Sequence, residues 1–476
     1  MNGESRKNRE LGTKNPETGK IKKTKEKDLP LYGALQAHSQ SGACLFSMPG
    51  HKGRGLLPLD WGMDITELPG FDNLHQAGGV IAEAQQKAAA LRGADEAFFL
   101  VNGSSGGVMA AVLAVAGPGE EMLLARNAHV SAFRGLVLSG ADPVYAAPRV
   151  AAGIPRELPV EAVEAALLAH PRARGLLVVS PTYEGFCSDI PALARLCHAR
   201  GLPLIVDAAH GAHLGYHPAF PADAFSQGAD VVVESWHKTL PAPTQTAVLF
   251  FRRGRVDEHR LRGALRLLQS TSPSYLLLAA LDGCRAFLET EGPAAFEAYA
   301  TGLLALRRRL EKLKNIPLLP TDDPGKLVFL AGYPLAEALR RRGVYLEAAW
   351  PGHALAMTSV ADRPADFARL AEALEELDKD WPRPEAAAPA FSAELLTPPR
   401  RILSPRDAFF APGETVPAER AAGHMALDFL IPYPPGIPLV CPGEELTPAA
   451  LGYLEQVLRQ GGSVLGMEAG IRVKKE

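Results

Sequence analysis

Between about Phe71 and Phe251 this 476-residue chain repeats one pattern: a short uninterrupted apolar run, a Gly-rich or polar turn, then a segment of helix length. The runs fall at 98–101, 122–125, 176–180, 204–207, 231–234 and 247–251. They have strand length, and they are rich in the Val, Ile, Leu and Phe that suit strands covered on both faces. Strands that alternate with helix-length segments predict an α/β architecture, a mostly parallel sheet with helices on both sides. Ligands of such sheets bind in the crevice beyond the carboxyl ends of the strands, so the residues after each run are where chemistry is sought.

The run at 231–234 delivers Ser235, His237 and Lys238 together onto a turn. Most lysines are solvated surface charges; one that follows a buried β-branched run is placed to form a Schiff base. The run Leu204-Ile-Val-Asp207 ends in an aspartate and continues Ala208-Ala-His-Gly-Ala-His213. An aldehyde cofactor with a pyridine ring needs both a lysine for its carbonyl and an acid to keep the ring nitrogen protonated as an electron sink, and Lys238 with Asp207 supplies both. After the run at 98–101 comes Asn102-Gly-Ser-Ser-Gly-Gly107, where Ser104, Ser105 and the free amides of a helix start form a phosphate cradle. A Gly/Ser turn alone is more often a plain connection. It is neither a G-x-G-x-x-G fingerprint nor a G-x-x-x-x-G-K-[ST] loop, so dinucleotide and nucleoside triphosphate readings lose their main support. The run at 122–125 leads to His129, a loop residue by default, whose ring could also stack on a pyridine. Spacing alone does not choose between the two.

These residues carry a family likeness. Ser47-Met-Pro-Gly-His-Lys-Gly53, Asp64-Ile-Thr-Glu-Leu-Pro-Gly70, Phe99-Leu-Val-Asn-Gly-Ser-Ser105, Arg126-Asn-Ala-His129, Val206-Asp-Ala-Ala-His-Gly-Ala-His213, Ser235-Trp-His-Lys-Thr-Leu240 and Pro432-Tyr-Pro-Pro-Gly-Ile-Pro438 together resemble the bacterial ornithine/lysine/arginine decarboxylases. The likeness runs in order from about Leu31 to the C-terminus. It implies the aspartate-aminotransferase-like fold with a seven-stranded sheet, and pyridoxal 5'-phosphate as cofactor. Carried over by position, Lys238 bears the cofactor, Asp207 partners the ring nitrogen, His129 stacks on the ring, and His210 is an active-site histidine. Ser104, Ser105, Ser235 and His237 match the phosphate and lysine-flanking positions. Gln269-Ser-Thr-Ser-Pro-Ser-Tyr275, with Ser272, is similar to a segment that reaches a neighbouring subunit's phosphate, which implies a homodimer or higher homo-oligomer with shared sites. Glu347 and the loop Tyr433–Pro438 are the candidates for the substrate's distal cation; for Glu347 a structural carboxylate is an equal reading.

Two positions depart from the family pattern: Ala208 stands where a glutamate is usual, and Val130 where a lysine is common. Neither touches Lys238, Asp207 or His129. The motifs begin near Ser47, so the chain resembles the short branch without a receiver-like wing domain, in which arginine decarboxylation to agmatine, for polyamine biosynthesis, is the commonest assignment. Lysine or ornithine decarboxylation, another pyridoxal-phosphate reaction such as transamination, and a catalytically weakened cofactor-binding regulator are the alternatives.

The remaining composition bounds partners and compartment. A formal charge of −3 gives no electrostatic case for nucleic acid or membrane. The five cysteines show no C-x-x-C spacing and there is no H-E-x-x-H, so neither a disulfide framework nor a metal site is predicted, and a reducing cytoplasm fits. Cys187, in the loop after the run at 176–180, either faces the cofactor or is a small buried thiol. The first 28 residues hold nine Lys/Arg and five Asp/Glu with almost no large apolar side chains, which predicts a disordered basic tail over 1–29. A cofactor-binding large domain over 30–299 comes next. An amphipathic helix at 300–313 opens a small α+β domain over 300–385, a Pro/Ala-rich linker begins at Asp380, and a C-terminal α+β domain covers 386–476.

Overall fold

In the computed structural model the described residues are 40, 42–47, 50–52, 64–382 and 391–475. The chain divides into two units, Met1–Ala43 and Cys44–Glu476, and of the first only residues 40, 42 and 43 are described. The basic tail, Met48, Pro49 and Gly53 of the first motif, and residues 383–390 of the linker lie outside the described residues.

Seven strands form the main sheet: β1 (Glu96–Leu100), β2 (Glu121–Ala125), β3 (Asp142–Ala146), β4 (Leu176–Val179), β5 (Leu204–Asp207), β6 (Val231–Glu234) and β7 (Ala247–Phe251). Their order is β1-β7-β6-β5-β4-β2-β3. β2 pairs in parallel with β3 and β4, and β4, β5 and β6 continue in parallel. β7 runs antiparallel to both β6 and β1, so β1 points the same way as the other five. The architecture is the expected mostly parallel α/β sheet. β3 is the strand that the apolar runs do not reveal. It reads Asp-Pro-Val-Tyr-Ala and pairs on one side only, with β2, at the edge where a strand tolerates Pro143.

Side chains alternate between two cores, one on each face. Phe98, Leu100, Val231 and Val233 join one cluster, while Phe99, Val101 and Val232 join the other. The first face is covered by α1 (Gly103–Val115) and α2 (Val130–Ser139). α1 lies close on the sheet because Gly107 has no side chain: a Cβ there would meet Leu100 at 2.6 Å and Val233 at 2.9 Å. The opposite face carries Ile81, Leu193, Leu281 and Leu303 from four helices. The last of these helices is Gly292–Leu310, a single element that starts earlier than the expected 300 and stops short of 313. Pro293 in its first turn is the start signal that outweighs the Leu/Arg pattern. The expected domain boundary at 299/300 thus falls inside one continuous helix.

The same core cluster runs on through Leu327 and Phe329 into a four-stranded antiparallel sheet: β8 (Leu318–Leu319), β9 (Lys326–Phe329), β10 (Ala348–Ala349) and β11 (Ala354–Met357), ordered β8-β9-β11-β10. Residues 391–475 have their own small core, with Leu430, Val440, Leu454 and Val473, under two antiparallel strand pairs and the helix Pro448–Arg459. Among the described residues no helix is long and apolar enough to cross a membrane.

Candidate active site

The carboxyl ends of β1, β2, β5 and β6 open onto one cleft of about 530 Å³. β1 gives Ser104 and Ser105 at the start of α1; β2 gives His129, the residue before α2; β5 gives Asp207 and, three residues on, His210; β6 leads to His237 and Lys238. A further wall is the loop Tyr433–Pro438, of which Tyr433, Pro434, Pro435 and Ile437 line the cleft. Arg126 anchors that loop. Its guanidinium donates to the carbonyls of Pro438 at 2.7 Å and Leu439 at 2.8 Å, and it pairs with Glu444 at 3.4 Å. The amide of Val130 donates to the Gly436 carbonyl at 2.9 Å, and a Cβ on Gly436 would meet His129 Nε2 at 3.0 Å.

Burial sets the charges. It pushes the Lys238 amine below its ordinary value, against Asp207 and Glu347, which favour the cation. It pushes the Asp207 carboxyl up, against Lys238 and the Ala209 amide, which donates to Asp207 Oδ1 at 3.1 Å. His129 is driven down to about 3 by burial, then by Lys238 and Arg134, so it is a neutral imidazole. Its Nδ1 accepts from the Ser131 amide at 3.2 Å, which leaves the ring proton on Nε2. His237 is driven down to about 4 by burial, and its Nδ1 donates to the Thr246 carbonyl at 2.8 Å. His210 Nε2 stands 3.0 Å from Lys238 Nζ, with the Tyr183 ring edge-on to the imidazole at 4.6 Å between centroids.

Of the residues singled out from sequence, Ser104, Ser105, His129, Asp207, His210, His237, Lys238 and Glu347 all line this cleft. Ser235 is fully buried behind it and donates to the Ser104 hydroxyl at 2.7 Å. Glu347 accepts from the Tyr183 hydroxyl at 2.5 Å. Ser272 is exposed, hydrogen-bonded to Ser270, and does not line the cleft of its own chain. Cys187 does not line it either; burial pushes its thiol up, and its amide donates to Asp322. Ala208 and Val130, the two departures from the family pattern, are buried in the two cores and are absent from the lining. Sequence reasoning missed Glu184, which lines the cleft, and Lys326, whose Nζ is 3.0 Å from His210 Nδ1. Lys326 follows Asp-Pro-Gly and reads as an ordinary turn lysine, so its type and spacing carry no signal.

The donor set fits a carbonyl cofactor with a cationic ring and a phosphate. It offers a buried amine depressed toward its neutral form, a buried carboxylate, and the first-turn amides of a 13-residue helix beside serine hydroxyls. Fold and cleft together are those of the fold type I pyridoxal-phosphate enzymes. Comparison with known proteins narrows the class. Residues 29–326 match the Orn/Lys/Arg decarboxylase major domain, and residues 392–472 match the C-terminal domain of the same family. The arginine decarboxylase of Halalkalibacterium halodurans is 35% identical, over 94% of this chain and 96% of its own. Among solved structures, the constitutive lysine decarboxylase of E. coli superposes with a TM-score of 0.74 at 20% identity, covering 87% of this chain and 75% of that one. A structure of SPT with PLP superposes at 0.57 and 17% identity, covering 71% and 87%. The chain belongs to the Orn/Lys/Arg decarboxylase family.

Proposed function

We propose that this protein decarboxylates arginine to agmatine with pyridoxal 5'-phosphate, as a step of polyamine biosynthesis in the cytoplasm. What carries the reading is the buried Lys238 amine with Asp207 and His210 at the carboxyl edge of a mainly parallel sheet. Arginine is favoured over lysine and ornithine by the relative matched along nearly the whole of both chains, which is named an arginine decarboxylase.

In this reading Lys238 holds the cofactor, Asp207 faces its ring nitrogen, His129 lies against the ring, and Ser104, Ser105, Ser235 and His237 belong to its phosphate end. When bound, the cofactor supplies a protonated ring that takes up the electron pair left as carbon dioxide departs. The protein's own part is electrostatic and geometric. Asp207 is already desolvated, so a cationic partner relieves a charge that burial opposes, and the pairing is strong because water is excluded. His129 is neutral and its Nδ1 is tied to the Ser131 amide, so the ring keeps one orientation without adding a positive charge beside the cofactor. His210 Nε2 and Lys238 Nζ stand within hydrogen-bond reach of each other, so a proton can pass between them and either can serve the α-carbon. Glu347 and Glu184 give the cleft the carboxylates that a planar, forked guanidinium requires.

Three further parts belong to the same proposal. The chain works as a homodimer or larger homo-oligomer with shared sites, in which Ser272, exposed on its own chain, serves the neighbouring cofactor's phosphate. Its organisation is a large cofactor-binding domain, a small α+β domain and a C-terminal domain that supplies the Tyr433–Pro438 wall. Its partners are small basic amino acids, not nucleic acid or membrane. Carbon dioxide release measured over arginine, lysine and ornithine tests the reading: arginine should be turned over best, and conversion of arginine without carbon dioxide release would refute it.

A further inference from the structure

The cleft does not end at Glu184. A second cavity shares Pro155, Glu184, Pro435 and Ile437 with it and continues to Trp350 and His353. His353 is 5% exposed, and its Nε2 has no hydrogen-bond partner among the described residues. Glu184 is buried too, and His353 Nε2 stands 3.8 Å from its Oε1, too far for a hydrogen bond. A buried polar atom without a partner costs stability, so an unpaired nitrogen facing a carboxylate in a cavity calls for a third group between them.

The imidazole is held where it is. Trp350 stacks on it, with centroids 4.3 Å apart and planes 15° from parallel, and the indole Nε1 donates to the Pro434 carbonyl at 3.2 Å. That ties the stack to the Tyr433–Pro438 wall of the cleft. The two carboxylates differ in place and in partners. Glu347 already accepts from the Tyr183 hydroxyl and acts on the Lys238 amine. Glu184 does not act on that amine, and it lines the second cavity, which neither Lys238 nor Glu347 reaches. Glu184 and His353 thus lie further from the reacting amine than Glu347 does.

A guanidinium is flat, carries five N–H donors and has no acceptor. On arginine its outer nitrogens reach further from the α-carbon than the ammonium of lysine or ornithine. It can give one hydrogen to a carboxylate and another to a neutral imidazole nitrogen 3.8 Å from that carboxylate. An ammonium on a shorter stem has the donors without the reach.

We propose, on the basis of the decarboxylase reading, that His353 and Glu184 form an outer subsite for the guanidinium of arginine, in which Glu184 and the lone pair of His353 Nε2 each accept one of its N–H groups. His353 is then a specificity-determining residue, and its ring proton sits on Nδ1.

The test uses the full-length protein with its cofactor. Calorimetric titration with agmatine reads the subsite without turnover, and 1,5-diaminopentane serves as the ammonium control. His353→Leu should weaken agmatine roughly tenfold and raise KM for arginine by a similar factor with a smaller change in kcat, the worth of a hydrogen bond to a charged group. Diaminopentane affinity should stay unchanged, and His353→Gln, which keeps an acceptor, should restore most of the loss. A wild type that does not bind agmatine, a His353→Leu protein with the wild-type agmatine affinity, or equal losses for both ligands overturns the proposal. If His353→Leu does not fold, the wild-type ring decides. Nitrogen-15 spectra of histidine-labelled protein, with His353 assigned through His353→Gln, should show an unprotonated Nε2 that shifts on addition of agmatine; a protonated or unmoved Nε2 overturns the proposal. Carbon dioxide release from arginine by the wild type is measured alongside. Its absence refutes the decarboxylase reading, whereas agmatine affinity and the ring spectrum judge the subsite alone.

Discussion

Arg126→Met is the perturbation that most sharply probes how the cleft is walled. The side chains of Arg126 and Glu444 are 0% and 1% exposed, and the guanidinium also holds the carbonyls of Pro438 and Leu439. Methionine roughly matches the arginine stem but not the guanidinium, which lies over the rings of Phe133 and Tyr145 at 5.6 and 5.1 Å, so part of the loss comes from packing. What remains is Glu444, buried without its cation, and removal of one partner of a buried pair costs about 3–5 kcal/mol. Urea unfolding of the wild type, Arg126→Met, Glu444→Gln and the double variant measures it. The double variant should lose less than the two singles together, by about 2 kcal/mol, because it leaves no charge stranded. The pH dependence has a definite sign. Burial already raises the Glu444 carboxyl above its ordinary value while Arg126 opposes that. Without Arg126 the folded state binds the proton more tightly still, so stability falls as pH rises through the widened window. Arg126→Met should therefore be closer to wild type at pH 5 than at pH 8. A loss below about 1 kcal/mol, strict additivity, or the opposite pH trend would refute the argument.

Gly436→Ala should cost about 1–2 kcal/mol and loosen the cofactor, since φ there is +93° and the new methyl would stand 3.0 Å from His129 Nε2; unchanged melting and cofactor retention would show that the loop does not bear on that ring. Ser104→Ala should weaken pyridoxal phosphate binding roughly tenfold to a hundredfold, the worth of a hydrogen bond to a charged group, with little effect on unphosphorylated pyridoxal, and Ser235→Ala, which acts only through the Ser104 hydroxyl, should weaken it less. Equal losses for both ligands in equilibrium titrations would remove these serines from the phosphate end. Glu347→Gln should raise KM for arginine roughly tenfold with a smaller change in kcat, read from initial rates; a kcat loss with KM unchanged would assign Glu347 to the reacting centre instead.

The sheet and most of the cleft are legible in the sequence because parallel strands buried on two faces leave unbroken apolar runs, and the residues just after those runs gather at one edge. That is how Lys238, Asp207, His129 and Ser104 are found from four separate segments. β3 escapes because an edge strand with Pro143 need not be continuous or apolar. The helix Gly292–Leu310 is misjudged at both ends because the Leu/Arg pattern marks only its C-terminal half and continues past its end to Leu313, while Pro293 sets where it starts. Lys326 is invisible for another reason: it reaches the site by contacts between distant segments, and nothing local distinguishes it from a surface charge, whereas Glu184 stands in the loop after β4, where the rule applied to the other strands points. The role of Arg126 is likewise hidden, although it stands in a family motif, because its partners lie 312 and 313 residues downstream.

Borohydride treatment of the purified, coloured protein, with peptide mass spectrometry of the product, asks directly which amine joins the carbonyl. The expected result is bleaching of the visible band with a stable pyridoxyl-phosphate label on the peptide that contains Lys238, and neither band nor label in Lys238→Ala. A label on another lysine, or carbon dioxide release from arginine by the Lys238→Ala protein at the wild-type rate, would contradict the account.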